Sequence, residues 1–236
     1  METLEAELDR ARDLEVAALA DAIESIGFEC TRCGACCSAE ADDPHTATVF
    51  PDEVRTLQSA AGESTTDDEP HEPPREWRDV ARPMPFGLTD GEDGPEGETF
   101  EWALQTDGCG DCAFYAEAPD GRGRCTVHAD RPLICRTYPF SVALAGTSQP
   151  MGEAVDEAGV VRAHECEGLG RDISRADAEG LARSLKERAV RELEEAIGVR
   201  DRYRPVETGP GEVVVHDSEG AKRPDGSPLD GPSTDD

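Results

Sequence analysis

"FECTRCGACC", residues 28–37, sets four cysteines into one short stretch, and its reading decides what can hold this chain together. Cys30, Cys33 and Cys36 recur at every third residue, with Gly34 and Ala35 in the last interval. Two thiols separated by two small residues in a turn can aim both sulfurs at one ion, because the backbone folds around it. The C-x-x-C-x-x-C spacing also matches the opening of a bacterial ferredoxin run, whose sulfurs bind separate irons of one cluster. The fourth cysteine followed by proline that completes that run is missing, so a fourth ligand has to come from elsewhere in the chain. Cys37 directly follows Cys36. Adjacent side chains tend to diverge, so the extra sulfur suits a second site or a bridge.

The remaining cysteines are Cys109, Cys112, Cys125, Cys135 and Cys166, nine in all, enough for two four-thiolate sites with one left over. Disulfides are the competing explanation. The N-terminus "METLEAELDR" has no basic, then apolar, export signal, and no apolar run is long enough to span a bilayer, so the expected compartment is the cytoplasm, where thiols stay reduced. Free cysteines serving as small hydrophobes would not cluster with glycine in turns. Metal binding is therefore the expectation, with zinc and iron both acceptable to thiolates.

Composition gives a reason for the metal. Only 36% of the 236 residues are hydrophobic and 5% aromatic, which predicts a lean core. A structural zinc site contributes about 10–16 kcal/mol in peptides, as much as the whole net stability of a typical domain, about 5–15 kcal/mol.

Charge narrows the partners. With 53 acidic against 23 basic residues the net charge is -30, which repels phosphate backbones and anionic lipids. Neither nucleic acid nor a membrane is an expected partner; a protein or redox partner of unknown identity is. Lysine occurs only at Lys186 and Lys222, and the acidic residues are spread along the chain, as suits a surface kept hydrated in concentrated salt. That pattern predicts a halophilic, archaeal source; the alternative is an acidic, partly disordered protein of any origin.

The expected fold class is α+β: a small irregular cysteine-rich domain organised by metal, with a few short strands, flanked by amphipathic helices at both ends. Leu4, Leu8, Leu14, Leu19, Ile23 and Ile26 recur near the helical period and predict one N-terminal helix over residues 1–27, stopped at Gly27. The cysteine domain follows over 28–170. Within it "TATVFPDEVRTLQSA", residues 46–60, reads as a strand and a proline-led helix. Residues 61–99, including "TDGEDGPEGE", read as an acidic loop insertion without regular structure. Strands are expected within 99–107, over Ser141–Ala145 and in "GVVRAHEC", and a turn at Asp120 and Gly121. Ser174 with Asp177 predicts the N-cap of a C-terminal helix over 171–204, whose apolar face is Leu181, Leu185, Ala189, Leu193 and Ile197 and which packs on the first helix. Residues 205–236 read as a mostly disordered acidic tail, apart from an edge strand at "GEVVVHD".

Taken together, the opening C-x-x-C-x-x-C-C, "CAFY", "CTVHADRPLICRTYPF" and "CEGLG" resemble the YkgJ-type cysteine-cluster family, described as zinc- or iron-chelating and often labelled iron-sulfur oxidoreductases. The resemblance covers roughly residues 28–170. It implies Cys30, Cys33, Cys36, Cys37, Cys112, Cys125, Cys135 and Cys166 as the metal ligands, with an iron-sulfur cluster or bound zinc or iron as cofactor and an oxidoreductase as a possible activity. Cys109 is an addition to the pattern. His128 stands where the family usually has an aromatic, and His164 where no ligand is required; both are secondary ligand candidates, and histidine at such positions more often has a structural role. Arg131 and Arg136 are placed to offset thiolate charge or to pair with the abundant carboxylates. Tyr138 and Phe140 are placed to shield the site. The family also includes domains attached to a flagellin lysine methylase, which makes an accessory domain of a protein-modifying system, or a zinc-organised interaction module, the alternatives. No catalytic acid, base or nucleophile is identifiable, and no Walker or dinucleotide motif occurs.

Overall fold

The computed structural model describes residues 3–39, 45–60, 74–119, 121–149, 154–156 and 159–229. In chain order the elements are α1 (Leu4–Asp13), α2 (Val16–Ile26), β1 (Thr48–Val49), α3 (Pro51–Ser59), α4 (Trp77–Val80), β2 (Ala81–Pro83), β3 (Thr89–Gly91), β4 (Gly94–Thr99) and β5 (Trp102–Leu104). There follow β6 (Tyr115–Glu117), β7 (Gly123–Cys125), α5 (Leu133–Thr137), β8 (Phe140–Val142), β9 (Ala154–Asp156), β10 (Val161–His164), α6 (Arg175–Arg202), β11 (Val213–Asp217) and β12 (Gly220–Lys222). The fold is α+β, as expected, with short strands gathered into small sheets between helices from the two ends of the chain.

The helix α6 begins where the sequence places it: Ser174 Oγ accepts the Asp177 N–H at 3.1 Å, satisfying one free donor of the first turn. Leu185, Ala189 and Leu193 are buried on its apolar face, and Leu181 and Ile197 flank them. Against this face lie α1 and α2, running the opposite way: Glu5 pairs with Arg200 at 2.7 Å, Arg12 with Glu194 at 2.9 Å, and Asp21 with Arg175. These exposed pairs are screened by solvent and contribute little. Burial of Leu8, Leu19, Ile23, Leu185 and Leu193, at about 1.5–3 kcal/mol per side chain, carries the packing. The N-terminal segment is two helices, not one. Leu14 and Glu15 take non-helical backbone between them, and the break lets Leu8 with Ala11 and Leu19 with Ile23 share one core with α6.

That first core closes on the sheet β8-β10-β9. A second core lies under the sheet β1-β5-β2, with Val54, Leu57, Trp77 and Val80 from α3 and α4. All three residues of β5 are buried, so this strand does not alternate.

Two expectations fail here. "TDGEDGPEGE" is not irregular: it forms β3 and β4, which pair antiparallel, and β4 pairs parallel with β11 at Val213↔Gly97 and Val215↔Thr99. Its hydrogen bonds come from a strand more than a hundred residues later, and local composition is blind to such a partner. Nor is "GEVVVHD" an edge strand in a disordered tail: β11 lies between β12 and β4, and its five residues are all buried. Asp217 accepts from Trp102 Nε1 at 2.9 Å and pairs with Lys222 at 2.7 Å, fastening the C-terminal hairpin to the second core. Residues 61–73 of the proposed insertion, Asp120 of the proposed turn and residues 230–236 of the proposed tail lie outside the described residues.

Candidate metal centre

Gly27 turns the chain out of α2 and into the first cysteine block. Its φ is 77°, and a Cβ there would stand 2.5 Å from the Arg171 carbonyl oxygen. The strand-like step that follows, with Phe28 bridged to Leu169 and the Glu29 N–H on the Gly168 carbonyl at 3.0 Å, lays Cys30 beside the loop of Cys166. The Cys166 sulfur accepts the Gly168 N–H at 3.4 Å.

Gly34 makes the next turn. It is left-handed, at φ 84°, and its missing Cβ leaves room for the Tyr115 hydroxyl, which would otherwise lie 2.4 Å away. A single 3-10 turn, Ala35–Cys37, follows and brings the adjacent sulfurs of Cys36 and Cys37 to 3.8 Å. The Cys37 carbonyl accepts the Cys112 N–H at 2.8 Å, which joins the first block to the second. Cys125 is opposite Tyr115 in the β6-β7 hairpin, and the Gly123 N–H reaches back to the Arg32 carbonyl at 2.9 Å. Cys135 sits on α5, where Leu133 N–H donates to Glu53 Oε1 at 2.8 Å. Cys112 belongs to the second core, and Cys37, Cys125 and Cys135 pack against it.

Electrostatics places the thiols in one neighbourhood. Burial pushes Cys135 well above its ordinary range, and the charges of Cys112, Cys36 and Cys125 push it further while Arg131 opposes. Burial likewise raises Cys112 to about 11, with Cys125 and Cys36 adding repulsion. Cys166 is raised by burial and by Cys33, Cys36 and Cys30. Cys36 is raised first by its hydrogen bond with Cys37 and then by desolvation; the residue is exposed as a whole while its sulfur lies against the protein. Cys36 thus acts on thiols of both groups: on Cys112 and Cys135, which Cys125 also influences, and on Cys166, which Cys33 and Cys30 also influence.

All nine cysteines are free thiols. Among the described residues no three of the His, Cys, Asp and Glu side chains are closed to a metal-holding arrangement. The donor set nevertheless suits a soft divalent ion: crowded sulfurs whose repulsion as thiolates a cation would relieve, on a backbone fixed by Gly34 and the Cys112 N–H to Cys37 carbonyl hydrogen bond.

The other candidates divide. Cys109 is exposed in a turn, its N–H on Asp107 Oδ1 at 2.8 Å, and it is not among the groups that act on Cys112, Cys135 or Cys166. His128 opens a short 3-10 turn and its carbonyl accepts from Arg131 Nε at 3.2 Å. His164 is buried with Nε2 3.0 Å from Ser141 Oγ, a link inside the first core. Arg131 acts on the thiols, whereas Arg136 reaches Glu187 at 3.9 Å. Tyr138 donates to the Glu165 carbonyl, tying α5 to the Cys166 loop, and Phe140 meets Phe28 edge-on at 5.7 Å. The residue that sequence reasoning missed is His45. Burial lowers its pKa, and the Cys36 backbone acts on its ring in the opposite sense. A lone histidine in "HTATVF" gives no signal of this.

The fold and the thiols define an α+β cysteine-cluster protein. More particularly, residues 29–167 match the CxxCxxCC family model, described as a "Putative zinc- or iron-chelating domain", and the chain belongs to that family. Searches of curated proteins and of solved structures found no match to the chain. Among the described residues no helix is long and apolar enough to cross a membrane.

Proposed function

We propose that this protein holds zinc or iron through its cysteine thiolates and uses the metal to fasten its two cores together. What supports this is that the charge of Cys36 bears on Cys112 and Cys135, which lie in or against the second core, and also on Cys166, whose loop joins the strand-like step after α2. Cys112, Cys125 and Cys135 with one thiolate of the adjacent pair would form an inner set, and Cys30, Cys33 and Cys166 with the other an outer set. This assigns a use to the adjacency of Cys36 and Cys37. When bound, the ion supplies positive charge that stabilises thiolates at neutral pH. The chain's own part is to present the sulfurs, to exclude water with the second core, and to offset excess negative charge with Arg131.

Whether the centre is zinc or an iron-sulfur cluster divides the further readings. An iron-sulfur cluster supports electron transfer or an oxidoreductase; zinc supports an interaction module or an accessory domain of a protein-modifying system. The net charge of -30 favours a protein partner over nucleic acid or membrane, and the reduced thiols favour the cytoplasm. The acidic surface supports adaptation to concentrated salt, which unfolding on dilution into low salt would check.

Anaerobic purification in high salt, followed by analysis for zinc, iron and acid-labile sulfide, tests the proposal. Two metal equivalents, or iron with sulfide, are the expected results. A folded, metal-free protein with nine titratable thiols that takes up neither metal overturns it.

A further inference from the structure

Away from the thiols, where α6 faces β5 and residues 146–148, lies a groove of about 650 Å³, within the range of about 300–1,000 Å³ typical of small-molecule sites. Phe50, Met84, Phe86, Phe100, Trp102 and Tyr203 supply its apolar wall. Phe86 and Phe100 stand on it 63% and 47% exposed, the opposite of what the lean composition would spend its few aromatics on. Large aromatic surface left in water beside a concavity marks a binding face.

The charged groups of the groove are four carboxylates, Glu101, Glu192, Glu195 and Asp217, against one cation, Arg200. Most are already matched. Arg200 is held by Glu5 at 2.7 Å and Asp201 at 2.9 Å, Asp217 by Lys222, and Glu192 by Arg188 at 2.8 Å. Glu195 takes a backbone N–H, that of Ser218 at 2.7 Å; among the described residues no cation lies at hydrogen-bonding distance from it, and Lys222 acts on it only from farther off. Glu101 has no side-chain hydrogen bond or ion pair among the described residues. Although Glu101 opens to solvent on one side, surrounding protein and the charges of Glu192 and Glu195 hold its carboxyl above the usual range. The groove therefore offers unmatched negative charge beside aromatic rings, and both attract an organic cation.

We propose that this groove binds a small organic cation, an ammonium head on an apolar body, with the head at Glu101 and Glu195 and the body against Phe86, Phe100 and Tyr203. The assignment is independent of the metal reading, since no cysteine lines the groove.

The test is a titration of the full chain with phenethylammonium, and in parallel with its neutral isostere 2-phenylethanol, read by saturation-transfer NMR and by the fluorescence of Trp102. Saturable binding of the cation is expected, about tenfold tighter than the alcohol, with the difference lost in Glu101→Gln and both ligands weakened in Phe86→Ser. These side chains are exposed, so both variants keep the fold, which circular dichroism verifies. Equal binding of the two probes, no saturable binding, or binding untouched by either substitution overturns the proposal. Sedimentation that shows a dimer broken by Phe86→Ser would assign the groove to a second copy of the chain and overturn it as well.

Discussion

The N–H of Cys112 donates to the carbonyl of Cys37 at 2.8 Å, so backbone alone brings two distant cysteine blocks together. Side chains are then required only to close the remaining gap around an ion. The consequence is a division of labour between inner and outer thiols. Cys135→Ser, beside Cys112 and Cys125, is expected to remove the inner metal and to lower the unfolding midpoint strongly, because a structural site contributes several kcal/mol to folding. Cys166→Ser is expected to remove only the outer metal. Cys109→Ser should change stability by less than about 0.5 kcal/mol, as an exposed position does, and leave the metal content intact. Elemental analysis beside denaturant unfolding checks all three, and equal losses for Cys109→Ser and Cys135→Ser would contradict the assignment.

The pH dependence of the metal-free protein follows from the same crowding. The ordinary thiol value is 9.0, and Cys112 in the folded chain titrates at about 11. A folded-state value above the unfolded one means that the folded chain keeps a proton the unfolded chain gives up. The associated stability is complete below pH 9 and is lost as pH rises through about 11. Thermal unfolding of the apo protein should therefore show falling stability from pH 9 upward. The metal-loaded protein should behave in the opposite sense, losing metal as pH falls, because protons compete for the thiolates. A flat alkaline profile for the apo protein would show that Cys112 is not buried among thiols.

Gly34 is the hinge of the first block. An added methyl would have to move the Tyr115 hydroxyl from 2.4 Å and hold a left-handed backbone at φ 84°. Gly34→Ala is expected to cost more than about 1 kcal/mol and to lower metal affinity, since it displaces the Cys36–Cys37 turn. Gly121 is also left-handed, at φ 81°, but a Cβ there meets nothing within 4 Å. Gly121→Ala separates backbone strain from collision and should be the milder change by metal competition with a chelating dye.

What the sequence disclosed was whatever rests on local rules. The Ser174 cap, the Leu185–Leu193 face of α6 and the proline-led start of α3 are short-range patterns, and each is where it reads. Spacing with glycine pointed to a turn at Gly34, and the chain turns there. Pairing that depends on a distant partner was hidden. The glycine-rich stretch Gly94–Thr99 becomes a strand only because Val213–Val215 lies beside it, and the tail becomes an interior strand because Asp217 finds Trp102. The environment of His45 was equally hidden, since the group of Cys36 that acts on its ring is backbone and carries no side-chain signal.

The deepest charge in the first core gives the last prediction. Arg188 is 2% exposed and is bound on every side: Nε to Glu192 Oε1 at 2.8 Å, Nη1 to Thr137 Oγ1 at 3.1 Å and to the Phe140 carbonyl at 3.2 Å, and Nη2 to the Ser148 carbonyl at 2.6 Å. Thr137 lies in the same short helix as Cys135, so one guanidinium holds α5 against α6. Arg188→Met removes those donors and leaves the Glu192 carboxylate buried with Ser148, whose N–H donates at 3.1 Å, as its remaining partner among the described residues. Burial already raises the Glu192 carboxyl, and losing Arg188 removes the charge that most opposes that rise. The expected loss is about 3–5 kcal/mol, as for other buried pairs broken on one side. The double variant Arg188→Met with Glu192→Leu should recover part of it, because no buried charge then stands alone. Urea unfolding of the single and double variants at pH 7 measures both, and a double variant less stable than the single one would mean that Glu192 works through Ser148 more than through Arg188.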